Sequence, residues 1–400
     1  MDAIEELLTR GVDTVYPNRE ALEKVLRSGK KLRLYQGFDP TGAQLHIGHA
    51  VALRKLRQFQ DLGHEVIFLI GDFTAMIGDP TGKMDSRKML TKEEVLRNAQ
   101  SYQDQAARIL RFDGENPVKI MYNSEWLEKI SALEFIQLSH HLTYQQVVER
   151  DMFQKRMNQG QDIYLNEFLY PVMQAYDSVA MNVDLEIGGT DQMFNMMMGR
   201  KLMRNMKQKE KFVMTVPLLT DASGVKIGKT EGNVIGLTDE PSDFYGKIMS
   251  LGDDAIIPCF TLLTNEPMEK IAEIREKMLT GTNPMQYKAQ LARTLTAEFN
   301  NVDAAKIAEK NFVDVFVNKK QPTMNMLSVM MKRGQENCLA INLVLMTNHT
   351  KSKSEARRLI EQRAVEFNNV VVQSPNEMLS IKDGDTIRIG KTCFSKIKFI

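Results

Sequence analysis

The chain has 400 residues, 43% hydrophobic, 26% charged and 7% aromatic. That balance belongs to a globular protein with room for two or three domains, and it excludes disorder, collagen and coiled coil. Lys and Arg number 52 against 51 Asp and Glu, a net charge of +1, so no global field draws the molecule to nucleic acid or to a membrane, and any RNA contact must come from local patches.

The start, Met1 to Glu6, has no basic stretch followed by an apolar one, and no run approaches the roughly 20 apolar residues that span a bilayer. The expectation is a cytoplasmic chain with no membrane contact. Cys259, Cys338 and Cys393 lie far apart with no Cys/His cluster, so they read as buried thiols in a reducing compartment and no protein-bound metal is expected.

Residues 31–36 alternate like a short strand that ends at the turn Gly37-Phe38-Asp39-Pro40-Thr41-Gly42. From 47 to 62 the apolar residues Val51, Leu53, Leu56, Phe59 and Leu62 share one helix face, and Gly63 suits a left-handed cap. Residues 65–70 read as a buried strand. Strand, helix and parallel strand with short loops make a nucleotide-binding half of an α/β sheet.

Helix is expected over 92–111, strand over 118–122, and helical pattern through 125–157 and 164–181. A strand at 183–187 runs into Gly188-Gly189-Thr190-Asp191-Gln192, followed by a helix over 193–207 and a strand over 213–219. The methionines between 193 and 206 fall at helical spacing and read as flexible core filler. Beyond a glycine-punctuated loop at 223–232, the segments 244–251, 267–279, 284–299 and 304–312 all read as helices. A polar linker, 318–323, contains Pro322. The resulting division is a Rossmann-like domain over 1–238, a helical domain over 239–320 and a small α+β domain over 323–400, whose last 52 residues carry more Lys and Arg than Asp and Glu.

Chemistry concentrates in two places. Leu45-His46-Ile47-Gly48-His49 sits at the strand-to-helix turn, where free backbone N–H groups and the positive end of the helix dipole suit a polyphosphate. His46 and His49 put two imidazole donors on one side, and Gly48 leaves room for a ribose or purine. The second place is Lys226-Ile227-Gly228-Lys229-Thr230. Only three residues separate Gly224 from Gly228 where a P-loop needs four, and Gly78 to Lys83 is followed by Met84, so neither segment is a P-loop. Lysines on such a loop can still swing onto a departing pyrophosphate.

The tetrapeptide His46 to His49 with a K-x-x-K-T loop resembles the signature pair of class I aminoacyl-tRNA synthetases. Tyr35-x-Gly37-Phe38-Asp39-Pro40-Thr41, Ile77 to Lys83, Tyr170-x-x-x-Gln174-Ala175-Tyr176-Asp177 and Ile187 to Gln192 narrow the resemblance to bacterial-type tyrosyl-tRNA synthetases. Lys351 to Ile360 is similar to the S4-type RNA-binding fold of that family. The resemblance implies an α/β fold: a Rossmann-like parallel-sheet catalytic domain, an α-helical domain and an S4-like RNA-binding domain. It implies formation of tyrosyl-adenylate from tyrosine and ATP, with Mg2+ arriving on the ATP, transfer to tRNA(Tyr), and a homodimer.

By the same resemblance Thr41, His46, His49, Lys83, Arg87, Lys226, Lys229 and Thr230 stabilise the reacting phosphorus and pyrophosphate. Tyr35 and Asp177 hold the substrate phenol, Asp79, Tyr170 and Gln174 its amino group, and Gln192 lies near its carbonyl. Gly37, Asp39, Gly48, Gly189, Asp191 and Lys229 bind ATP, with Asp191 at the ribose. Lys351, Lys353, Arg357 and Arg358 contact RNA. Read from the residues themselves, a second basic run, Arg200, Lys201, Arg204, Lys207, Lys209 and Lys211, lies near the expected active site and is either a guide for the acceptor stem or a solvated helix face. Gln36 and Arg363 depart from the family pattern, Arg363 standing where a glycine is usual. The rival readings are a tryptophanyl-tRNA synthetase and a catalytically silent RNA-binding paralogue.

Overall fold

The strand run Glu65–Ile70 (β3) is buried from Val66 onward, because a parallel strand covered on both faces needs a continuous apolar sequence. It pairs in parallel with Arg33–Phe38 (β2), residue 33 opposite 65 and 38 opposite 70. The helix Ile47–Asp61 joins the two, burying Val51, Leu53, Leu56 and Phe59, and Gly63 beyond it has a φ of +81°. Lys119–Tyr122 (β4), Leu185–Gly189 (β5) and Phe212–Val216 (β6) extend the parallel sheet, and Thr14–Tyr16 (β1) closes its edge antiparallel to β6. The order is β1-β6-β5-β2-β3-β4. The chain order reverses between β5 and β2, and such a switch point opens a crevice at the carboxyl ends of the strands.

This computed structural model describes residues 2–81, 89–148, 150–221, 224, 226–227, 234–318, 327–331, 334, 336–350, 352–390 and 393–399. The chain divides into two compact units, Met1–Glu309 and Lys310–Ile400. In the first unit the helices Pro241–Met249 and Pro284–Phe299 pack together, Phe244 meeting Phe299 edge to face at 5.6 Å.

Three expectations need correction. The helix expected over 92–111 is two pieces, Lys92–Ala99 and Tyr102–Ala106. The break lets polar side chains of both pieces reach one loop: Asn98 donates to Pro40 O at 3.0 Å, Tyr102 to Gly42 O at 2.7 Å and Gln105 to Ala43 O at 2.8 Å. The pattern over 125–157 is four short helices, two of them begun at the polar residues Ser131 and Arg150. The helix Ile256–Leu263 escapes periodicity because it is apolar nearly all round, and such a helix is buried. Of the thiols, Cys259 is buried, with its pKa pushed up to about 12 by that burial, whereas Cys338 is only half-buried.

The second unit is a five-stranded sheet in the order Val370–Val371, Val365–Phe367, Thr386–Ile389, Cys393–Phe399 and Leu327–Met331, with the helices Ala340–Met346 and Lys353–Glu361. Leu343, Val344, Ile360, Val365, Ile387 and Ile397 form its core. Arg363 follows the second helix with φ of +57°. Its N–H donates to Ile360 O at 2.9 Å and that of Ala364 to Leu359 O at 2.9 Å, the Schellman pattern that favours glycine at this position. An arginine there carries left-handed strain of about 1–2 kcal/mol, which exceeds the roughly 0.4–1 kcal/mol by which glycine frees the unfolded chain. Arg363→Gly is therefore expected to stabilise this unit by about 0.5–1 kcal/mol in urea unfolding; destabilisation would contradict the strain.

Candidate active site

A cavity of about 260 Å3 opens at the carboxyl ends of β2 and β5. It brings together Tyr35, Gly37, Asp39 and Thr41 from β2 and its turn, His46, Gly48 and His49 from the helix start, and Asp79. From the other side come Tyr170, Gln174 and Asp177 of the helix Leu165–Ala180, then Gly189, Asp191, Gln192 and Lys226. Lys83, Arg87, Lys229, Thr230 and Lys351 lie outside the described residues. Lys353, Arg357 and Arg358 belong to the other unit, exposed on the helix Lys353–Glu361.

Asp177 is 2% exposed. Its carboxylate accepts from Trp126 Nε1 at 2.8 Å and from Asn123 Nδ2 at 3.4 Å. Burial nevertheless holds its pKa well above the carboxylate range, against the lowering by those two donors. Tyr35 is 1% exposed, and its phenol is likewise pushed well up by burial and then by Glu186, so it stays an O–H. Tyr35 thus gives the cavity a neutral hydroxyl, and Asp177 gives it an acceptor in its ionised form, which burial disfavours. Neither Asn123 nor Trp126 emerged from the sequence reading, although Trp126 is the single tryptophan of the chain.

Carboxylates continue along the cavity. Tyr170 donates to Asp39 Oδ2 at 2.8 Å, and Thr74 donates to Asp39 Oδ1 at 2.7 Å. Gln192 Nε2 donates to Asp79 Oδ2 at 2.7 Å, while Asp79 Oδ1 accepts the backbone N–H of Thr81 at 2.9 Å. Gln174 Nε2 donates to Glu186 Oε1 at 3.4 Å, and Gln174 Oε1 is buried with no hydrogen-bond partner among the described residues. A buried acceptor in a cavity that Asp39 and Asp79 also line suits a cationic donor.

At the helix start His46 is the N-cap. Its Nδ1 accepts the N–H of Gly48 at 3.1 Å, and His49 Nδ1 accepts the N–H of His46 at 3.1 Å. A neutral imidazole that accepts at Nδ1 carries its proton on Nε2, so both rings turn an N–H donor edge outward from the cap. A Cβ at Gly48 would lie 2.9 Å from the His46 ring, which explains the glycine as packing under that ring. The turn before it is pinned by Gln105, whose Oε1 accepts the N–H of Leu45 at 2.6 Å. Residues 235–237 pair with it through Ile47 N to Ile235 O and Leu237 N to Leu45 O, both 3.0 Å. Lys226 Nζ lies 3.0 Å from Asp191 Oδ2. Among the described residues no group of three or more His, Cys, Asp or Glu is disposed to hold a metal ion.

The second basic run is not a basic surface. Lys211 is fully buried against Glu186. Arg200 is 8% exposed and paired with Glu210 at 2.5 Å, Arg204 shares that carboxylate at 2.7 Å, and Lys209 meets Asp184 at 3.1 Å. Local carboxylates absorb most of the charge expected to face an acceptor stem.

This sheet, helix start and cavity define a class I tRNA synthetase. The family model described as tRNA synthetases class I (W and Y) matches residues 27–317, and that of the S4 domain matches residues 347–387. The tyrosine–tRNA ligase of Carboxydothermus hydrogenoformans is 42% identical over 402 residues, 98% of this chain and 97% of that protein. That of Desulfotalea psychrophila is 43% identical over 399 residues, 98% of this chain and 97% of that protein. The crystal structure of a C-terminally truncated mitochondrial tyrosyl-tRNA synthetase from Aspergillus nidulans shares the fold, with a TM-score of 0.65 at 23% identity over 78% of this chain and 94% of that one. The chain belongs to the tyrosine–tRNA ligase family.

Proposed function

We propose that the cavity activates tyrosine with ATP and that the chain then esterifies tRNA(Tyr), with roles divided along the cavity's length. The observation that carries this reading is the pairing of a buried hydroxyl, Tyr35, with a buried carboxylate, Asp177, in one cavity. A phenol between them accepts from Tyr35 and donates to Asp177. A site of this kind rejects the analogue without the hydroxyl because both groups would be left unpaired, a rule for which a tyrosyl enzyme is itself the worked case at about 10⁵. An indole offers a donor only and would leave Tyr35 unanswered. The substrate ammonium is assigned to Asp79, Tyr170 and Gln174, where Gln174 Oε1 awaits a donor, and the carbonyl to Gln192.

The tyrosine carboxylate is already a nucleophile at neutral pH, so the first step needs alignment and charge stabilisation but no general base. Gly37, Asp39, Gly48, Gly189 and Asp191 are assigned to the nucleoside. Thr41, His46, His49 and Lys226, with Lys83, Arg87, Lys229 and Thr230, are assigned to the phosphates. Because Lys226 holds Asp191, the nucleotide has to part this pair, freeing the carboxylate for the ribose and the ammonium for pyrophosphate. Mg2+ is assigned to the ATP phosphates and to no protein cage.

The further assignments are a catalytic domain over 1–238, a helical domain over 239–320 and an RNA-binding domain over 323–400, in which Lys351, Lys353, Arg357 and Arg358 contact phosphates. A homodimer in the cytoplasm completes the reading. The dimer is supported by the large side chains exposed between 133 and 165, Leu133 at 65%, Ile136 at 64%, Tyr144 at 67% and Leu165 at 74%. Among the described residues no helix is long and apolar enough to cross a membrane.

ATP–pyrophosphate exchange tests the assignment directly. Tyrosine alone among the standard amino acids should support exchange, and tryptophan at a comparable kcat/KM would overturn the reading. A second outcome follows from the raised pKa of Asp177. The accepting form is the carboxylate, so the KM for tyrosine should rise as pH falls, and at a higher pH than an ordinary carboxylate would give. Trp126→Phe removes the strongest hydrogen bond that lowers this pKa, so it should move the acid limb of the KM profile to higher pH. A limb that stays in place would separate Asp177 from tyrosine binding.

A further inference from the structure

The hydroxyl of Tyr35 has a partner whose own surroundings decide which way protons point. Tyr35 Oη and Ser178 Oγ are 2.9 Å apart, and either oxygen can donate. Lys211 Nζ donates to Ser178 Oγ at 2.8 Å, and Ser178 Oγ has Glu186 Oε2 as a second possible acceptor at 3.4 Å. Lys211 and Glu186 form a direct ion pair. Lys211 and Ser178 are fully buried and Glu186 is 2% exposed. Helix Met193–Lys207 closes over this group at Gly199, where a Cβ would lie 2.6 Å from Lys211 Nζ and 2.8 Å from Ser178 Oγ. The glycine is required for the ammonium to sit there.

A buried ion pair adds little net stability over well-packed apolar residues, so its presence here calls for another reason. An ammonium can only donate, which makes Ser178 an acceptor toward Lys211. The single Ser178 proton then goes to Tyr35 or to Glu186. Glu186 Oε2 is the more distant and already receives Lys211, so the proton goes to Tyr35. Tyr35 accepts it and turns its own O–H away from Ser178, toward the cavity that it and Glu186 line, where a bound phenol competes with Glu186 for that proton.

We propose that Lys211, held by Glu186, is a positioning residue that orders the chain Lys211 to Ser178 to Tyr35 to the substrate phenol, leaving the phenol proton for Asp177. With the order reversed, Tyr35 would donate to Ser178 and offer the substrate only lone pairs. The inference rests on the assignment of Tyr35 and Asp177 to the phenol.

The test is exchange kinetics on the full chain with tyrosine and with phenylalanine. Ser178→Ala removes the relay by deleting one hydroxyl. The double variant Lys211→Met with Glu186→Gln removes both charges together, so neither is left buried alone. Each should raise the tyrosine KM about fivefold to tenfold, the worth of one neutral hydrogen bond, with kcat within about twofold and phenylalanine kcat/KM unchanged. If tyrosine and phenylalanine lose kcat/KM by the same factor, the group is merely structural and the proposal is overturned. An unchanged tyrosine KM in Ser178→Ala overturns it as well, and this variant decides alone if the double variant does not fold. Tyr35→Phe separates the proposal from its foundation. If it keeps full tyrosine selectivity, the phenol assignment falls and the inference with it; if it loses selectivity while the other variants keep theirs, only the inference falls.

Discussion

Asp177 is a buried carboxyl held by hydrogen bonds from Trp126 and Asn123, with no cation in direct contact among the described residues. Taking such a group out of water is unfavourable unless its lone pairs are answered, and the surrounding structure is arranged to answer them. Asn123 follows directly on β4 and also accepts the N–H of Phe73 at 2.9 Å and donates to Thr74 at 2.9 Å. Thr74 in turn donates to Asp39. Four segments far apart in sequence are thereby tied to one carboxylate, and the capacity that Asp177 keeps for a further donor is what a phenol can use.

The two ends of the cavity differ in kind. One end is buried and built from Tyr35 and Asp177, whose charged forms burial disfavours. The other end is a helix start with two imidazoles and a lysine paired to a carboxylate, groups that answer charge. Between them the carboxylates of Asp39 and Asp79 are suited to an ammonium. On the proposed assignment that gradient would orient tyrosine with its carboxylate toward the phosphates, and orientation is the larger part of what adenylate formation requires.

Local rules made the scaffold readable. The run Val66 to Ile70 and the face of the helix Ile47–Asp61 follow directly from apolar spacing, and the helix Met193–Lys207 has its expected bounds. The cavity-lining residues among the candidates were legible because they fall in short motifs at strand ends, at a helix start and along the helix Leu165–Ala180. Asn123, Trp126 and Gln105 were not, since each acts on a partner more than 50 positions away without a local pattern. Lys211 illustrates the limit best. In sequence it closes a basic run and reads as surface charge, and only the fold brings Glu186, 25 positions earlier, against it. Arg363 shows the reverse case, where the resemblance flagged a residue whose backbone then proved left-handed.

Equilibrium binding of the free amino acids, without ATP, isolates the phenol end from the rest of the chemistry. Calorimetric titration of the full chain with tyrosine and with phenylalanine measures it. Tyrosine is expected to bind more tightly by at least about two to three orders of magnitude, the worth of two hydrogen bonds whose protein partners would otherwise stay unpaired. Affinities within tenfold of each other would contradict it, because Tyr35 and Asp177 would then not be reading the hydroxyl.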